Sequence, residues 1–186
     1  MGHPLVIPTD AELVGALQKR LGADLGMILG RELAFGPARL ERARTRPAGP
    51  GSIHISFKLG FRPESGEKRH GALLAPLDSA ITMACFLLMM PEEIVLQRRE
   101  ESELDPTLKD AMLEIGNMIG GATNTVLAEL GLAGWSARSE GCQGVRADVR
   151  PAFPYQEGSE LIVARVTATL EPYPPFELLL LLPLLG

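Results

Sequence analysis

Between Leu104 and Leu130 the chain reads LDPTLKDAMLEIGNMIGGATNTVLAEL. Its apolar residues Leu108, Ala111, Met112, Ile115, Ile119, Ala122, Val126 and Leu130 recur at about 100° per residue, so they line up as one buried stripe of an α-helix. Asp105 before Pro106 provides an N-cap and a first helical position. Opposite the stripe, Asp110, Glu114, Asn117, Gly121, Asn124 and Ala128 follow at intervals of 3 or 4 and share a narrow exposed strip. An ordinary solvent face carries Lys, Glu, Arg and Gln, whereas this one mixes acid and amide with glycine and alanine. Glycine costs about 1 kcal/mol relative to alanine in a helix interior, so Gly116, Gly120 and Gly121 need packing or docking to offset them. Packing on a neighbouring element explains Gly116 and Gly120. Gly121 lies in the strip itself, beside a Glu and an Asn, as suits the approach of another protein's surface.

Elsewhere the pattern alternates between the two periods. Thr9 and Glu12 form a capping box, and Leu13, Leu17, Leu21, Leu25 and Ile28 predict a first helix running through Leu33. Gly36-Pro37 ends it, and residues 38–46 read as a half-exposed strand. Ser52 to Phe61 alternates strictly, with Ile53, Ile55, Phe57, Leu59 and Phe61 on one side, and is the clearest strand signal in the chain. A further strand is expected over Gly71 to Leu77. Asp78 or Ser79 then caps a short apolar helix, Ala80 to Met90, whose methionines read as core filling. The charged connector from Glu92 to Glu103 holds a candidate strand at Ile94 to Gln97. After Gly131, strands are expected at Trp135 to Ser139, Val145 to Val149, Glu160 to Leu170 and Phe176 to Leu182. Helices interleaved with strands in this order predict an α+β domain, helices packed on an antiparallel sheet. Residues 1–186 form a single domain in this reading, with pseudo-repeat halves at about 9–77 and 105–183. The heptapeptide from Asp24 to Gly30, DLGMILG, echoes EIGNMIG from Glu114 to Gly120, with Met27 standing where Asn117 stands.

Composition narrows the function. The chain has 186 residues, 46% of them hydrophobic, and a formal charge of −5, with Lys and Arg scattered; nucleic-acid binding is not expected. Cys85 and Cys142 stand in unrelated contexts, which fits reduced thiols in the cytoplasm. His3, His54 and His70 are isolated, so no metal site is expected. The first ten residues carry no signal-peptide pattern, and LLLLLPLLG is too short to span a membrane and is broken by Pro183.

Asp110, Glu114 and Asn117 in DAMLEIGNMIGG match a D-x-x-x-E-x-x-N pattern. On these residues, on SIHISF, on the short helix ahead of the long one and on the terminal ELLLLLP, the chain resembles the CheC/CheX/FliY family of chemotaxis phosphatases. The single intact motif resembles the one-site CheX type. The resemblance implies a CheC-like fold, two long helices and a short one on an antiparallel sheet. It implies hydrolysis of the aspartyl phosphate of a CheY-like response regulator, with Glu114 and Asn117 inserted into the regulator's active site. Glu114 would pair with the regulator's lysine, Asn117 would orient water, and Asp110, Gly121 and Asn124 would support docking. No cofactor of the chain's own is implied; Mg2+ is expected in the partner. The family pattern also has a proline at the start of the strand after this helix, and here none occurs between Asn117 and Pro151, where the stretch around Ser139 stands instead. A non-catalytic CheC-like adaptor for a regulator or flagellar-switch partner is the alternative, and homodimerisation through the strands after Gly134 stays open.

Overall fold

The computed structural model describes residues 7–186. The elements are α1 (Asp10–Leu29), β1 (Leu33–Phe35), β2 (Arg39–Ala43), β3 (Ile53–Pro63), β4 (Arg69–Pro76), α2 (Leu77–Leu87), α3 (Glu92–Arg98), α4 (Pro106–Glu129), β5 (Trp135–Arg146), β6 (Leu161–Leu170) and β7 (Phe176–Pro183). Seven antiparallel strands make one sheet in the order β1-β6-β7-β4-β3-β5, with β2 following β1 along the same edge of β6. Exchanging β1/β2 with β5, β3 with β6 and β4 with β7 reverses this order onto itself. The architecture is α+β, with the helices gathered on one face.

Strand alternation decides which residues reach that face. Ile55, Phe57, Leu59 and Phe61 of β3 are 1% exposed or less and meet Leu17, Leu21, Leu108, Met112 and Ile115 of the helices in the main core. The same strand turns His54, Ser56, Lys58 and Arg62 to the other face. There a second, smaller core of Ala72, Leu74, Leu161, Val163, Leu179 and Leu181 lies under Phe153. Residues 147–160 cover it, held by the Ser56 hydroxyl donating to the Ala152 carbonyl at 3.0 Å and by Arg46 donating to Pro151 at 3.0 Å. Double-sided burial explains why β7 is the near-continuous apolar run FELLLLLP.

Several elements depart from the sequence expectation. The first helix stops at Leu29, not Leu33: Gly30 takes a left-handed conformation (φ 63°) and Arg31 donates to the Gly26 carbonyl at 3.2 Å. Leu33 continues the helical spacing but opens β1, opposite Leu170. Neither Asp78 nor Ser79 is an N-cap. The second helix begins at Leu77 straight from β4, with Pro76 in the cap position, and Asp78 accepts hydrogen bonds from Ser79 and Arg99 instead. Ile94 to Gln97 is helical, within α3. Pro91 precedes it, Glu92 and Glu93 complement the helix dipole in its first turn, and only Val95 of its apolar run is buried. Val145 to Val149 is not a separate strand: β5 runs through to Arg146 with an irregularity opposite Lys58, and Val149 is exposed beyond it.

His54 is fully buried beneath the turn before β3. A Cβ on Gly49 would collide with its imidazole, and neither ring nitrogen has a hydrogen-bond partner among the described residues. Burial lowers its pKa from the ordinary 6.5. The unfolded chain therefore takes up a proton as pH falls through about 6.5 while the folded chain refuses it until a lower pH, so stability is lost on acidification in that window. Thermal melts between about pH 7.5 and 5.5 should show a decline in Tm that is shallower in His54→Phe. Equal slopes in the two proteins would show that His54 carries none of the acid sensitivity.

Candidate functional site

The candidate site is built on α4. Asp105 starts this helix by accepting from the Leu108 amide at 2.8 Å, and Arg98 of α3 donates to the same carboxylate. Those two contacts, the backbone one first, hold the Asp105 carboxyl below its ordinary pKa. The cap stays ionised in neutral solution and fixes where the helix begins.

Along its length α4 lies on the edge strand β5, and its glycines set the distance. A Cβ on Gly116 would stand 3.2 Å from Ser139 Oγ, and one on Gly120 would run into the Ser139 backbone amide. Farther along, Asn124 Oδ1 accepts from the Ala137 amide at 2.9 Å. Ser139, in the region where the family pattern has proline, lies inside β5 opposite Leu59. Its hydroxyl accepts from the Gly141 amide at 3.3 Å.

Asp110, Glu114, Asn117, Gly121, Asn124 and Ala128 are all exposed on the outward side of the helix. Nothing lies within 4 Å of where a Gly121 Cβ would be. Asp110, Glu114 and Asn117 make no side-chain hydrogen bond or ion pair with other described residues, so all three are free to meet an incoming group. Asn124 differs from them because its carbonyl is already committed to β5. Glu114 and Asn117 stand one turn apart, with Cβ atoms at the usual helical separation of about 5–6 Å.

This arrangement offers a carboxylate and a neutral carboxamide side by side on a rigid helix, with a bare backbone beyond them. Among the described residues no group of three or more His, Cys, Asp and Glu converges to hold a metal ion, and no helix is long and apolar enough to cross a membrane. Leu113, 43% exposed beside the strip, was not singled out in the sequence. Its signal was present: it falls outside the buried stripe in an otherwise regular pattern. The echo in α1 provides no second pair. Asp24 is bound by Arg20 Nε at 2.8 Å, Met27 is 75% exposed, and Gly30 ends its helix where Gly120 continues α4.

No family model and no curated protein matches this sequence. Solved structures do match it. FliY of Thermotoga maritima superposes with a TM-score of 0.70 at 17% identity, over 97% of this chain and 92% of that one. The chemotaxis protein CheX of Desulfovibrio desulfuricans matches with a TM-score of 0.57 at 14% identity, over 91% and 99% of the two chains. The FliM middle domain of H. pylori matches with a TM-score of 0.64 at 11% identity, over 93% and 88%. The chain has the fold of the CheC, CheX and FliY proteins, which the FliM middle domain shares.

The seam and the strip respond differently to an added methyl group. Gly120→Ala should lower stability by about 1–3 kcal/mol, because the new Cβ meets the unyielding backbone of β5. Gly121→Ala should raise it by roughly 0.5–1 kcal/mol through helix propensity alone. Denaturant titration of the two variants checks this, and a destabilised Gly121→Ala would show that the strip is packed.

Proposed function

We propose that this chain, with its CheC/CheX/FliY fold, is a phosphatase that speeds hydrolysis of the aspartyl phosphate on a CheY-like response regulator, in chemotaxis or a related two-component pathway. The observation that carries the reading is that Glu114 and Asn117 are exposed, one turn apart and engaged with no other described residue. Regulator-bound Mg2+ supplies charge neutralisation at the phosphoryl group, which leaves an oriented water as the missing element. Asn117 accepts from that water through Oδ1 and donates through its amide nitrogen, in line with phosphorus and without adding negative charge. A carboxylate in its place would repel the phosphoryl oxygens. Glu114 pairs with the regulator's lysine in a charge-assisted contact formed only on docking, so it sets register. Asp110 stands one turn before Glu114 at the edge of the contact, and Gly121 lets the partner approach the helix backbone. Asn124 acts from behind, pinning α4 to β5 through the Ala137 amide.

A second reading, a non-catalytic adaptor for a regulator or flagellar-switch partner, is favoured by the FliM likeness. FliM of H. pylori is known in complexes with FliG and with SpeE. The same uncommitted strip would then serve recognition alone.

Phosphate release from a phosphorylated CheY-like regulator of the same organism separates the two. At substoichiometric amounts the chain should accelerate release, and Asn117→Ala should lower kcat by about 100-fold or more with regulator binding retained. Full activity in Asn117→Ala would remove that residue from the chemistry, and regulator binding without acceleration by the wild type would establish the adaptor. Glu114→Ala should raise KM by about tenfold, the cost of one charge-assisted contact; an unchanged KM would exclude the lysine pairing.

A further inference from the structure

Below Leu113, toward its N-terminus, the flank of α4 opens into a groove of about 380 Å3 against the far end of β5. Half-buried Ile53 and Leu104 form its walls, over a floor of buried Ile55 and Leu77. Gly144 keeps the outer wall low: the space a Cβ would fill there lies 3.8 Å from Ile55 Cδ1. Higher on the same flank, exposed Leu113 reaches to 4.0 Å of the Cβ position of Gly141. Leu113 and the groove thus lie on the same flank of α4, beside the outward strip, each next to a glycine of β5.

The rim is charged and asymmetric. Lys109 and Arg146 stand exposed at the mouth and form no ion pair with other described residues, against the single carboxylate of Glu103. Lys109 precedes Glu114 by five residues, about 8 Å along the helix axis. The roughly 800 Å2 that one partner covers on each side of a standard interface is about 30 Å across, so a single partner spans that separation.

We infer that this groove is a second anchor for the regulator, seating an apolar side chain flanked by carboxylates while Glu114 and Asn117 reach the phosphorylation site. The inference rests on the regulator reading given above. A helix strip alone lets a docked surface pivot about the helix axis. A buried apolar anchor displaced along the axis and onto the flank stops that rotation, and the two cations favour a partner with acid beside its apolar residue. The groove residues touch neither the water nor the phosphoryl group, so they act through binding and leave the chemical step unchanged.

Two variants test this: Gly144→Leu, which fills the groove from its open wall, and the surface double reversal Lys109→Glu/Arg146→Glu. The probes are receiver domains of the organism's CheY-like regulators, phosphorylated for turnover and beryllofluoride-loaded for affinity. Both variants should raise KM and weaken affinity by about tenfold or more, with kcat within about twofold of wild type. Unchanged KM and affinity in both, with turnover still lost in Asn117→Ala, overturns the groove and leaves the phosphatase reading standing. A wild type that binds without accelerating hydrolysis, and whose affinity falls in the groove variants, overturns the phosphatase reading and upholds the groove. Failure of every receiver to bind the wild type overturns both.

Discussion

The close approach of α4 to β5 is the contact on which the rest of the site depends. Helix and strand come together at Gly116 and Gly120, where any side chain would meet Ser139. At this distance the buried stripe from Leu108 to Leu127 reaches Phe57 and its neighbours, so main core and site share one interface. The price is helical propensity, lost at two interior glycines and recovered through burial. Asn124 supplies a directional restraint at the far end of the seam, and Asp105 sets the start of the helix at the near end. Between these fixed ends the place of Glu114 and Asn117 over the margin of the sheet is set.

The opposite face of the sheet has a different logic. An antiparallel sheet can leave one face in water, yet here β4, β7 and β6 are buried on both sides because residues 147–160 cover them. Phe153 and Tyr155 of this cover lie near Arg46, whose guanidinium sits 5.4 Å from the Tyr155 ring. The open part, around Lys58, Arg62 and Arg138, is polar. Apolar burial thus concentrates in the middle of the sheet, while α4 and β5 stand at its margin where another molecule can reach them.

Most of this architecture is written in local patterns. The strict alternation of β3, the capping box at Thr9, the Asp105-Pro106 start and the two-faced α4 are each set by neighbours within a few residues, and each is found where its pattern points. What the sequence could not show was decided at longer range or by a competing local rule. Leu33 fits the helical stripe, but Gly30 stops the helix first. Ile94, Val95 and Leu96 look like a strand until it is asked which edge would pair with them; none does, and they close a helical turn after Pro91. Val145 is separated from Trp135 by a Gly-rich stretch that resembles a turn and is an irregular strand held by β3. The groove was illegible for a similar reason, since its walls come from β3, α2, β5 and the segment before α4.

The strand order also governs how the chain becomes a fold. Only β3 with β4 and β6 with β7 are sequence-adjacent pairs; β1 and β2 find their partner in β6, and β5 finds its own in β3. Each half therefore lends its first extended segment to the sheet of the other, across well over a hundred residues for Leu33 and Leu170 and about ninety for Ile53 and Arg146. Neither half closes its own edge. Two local hairpins have to wait for distant strands to complete them, a high-contact-order route in which loop-closure entropy sets the tempo. The strand that fixes the height of α4 is hung on the other half's hairpin, so the geometry of the site depends on contacts made between the two halves and not within either one.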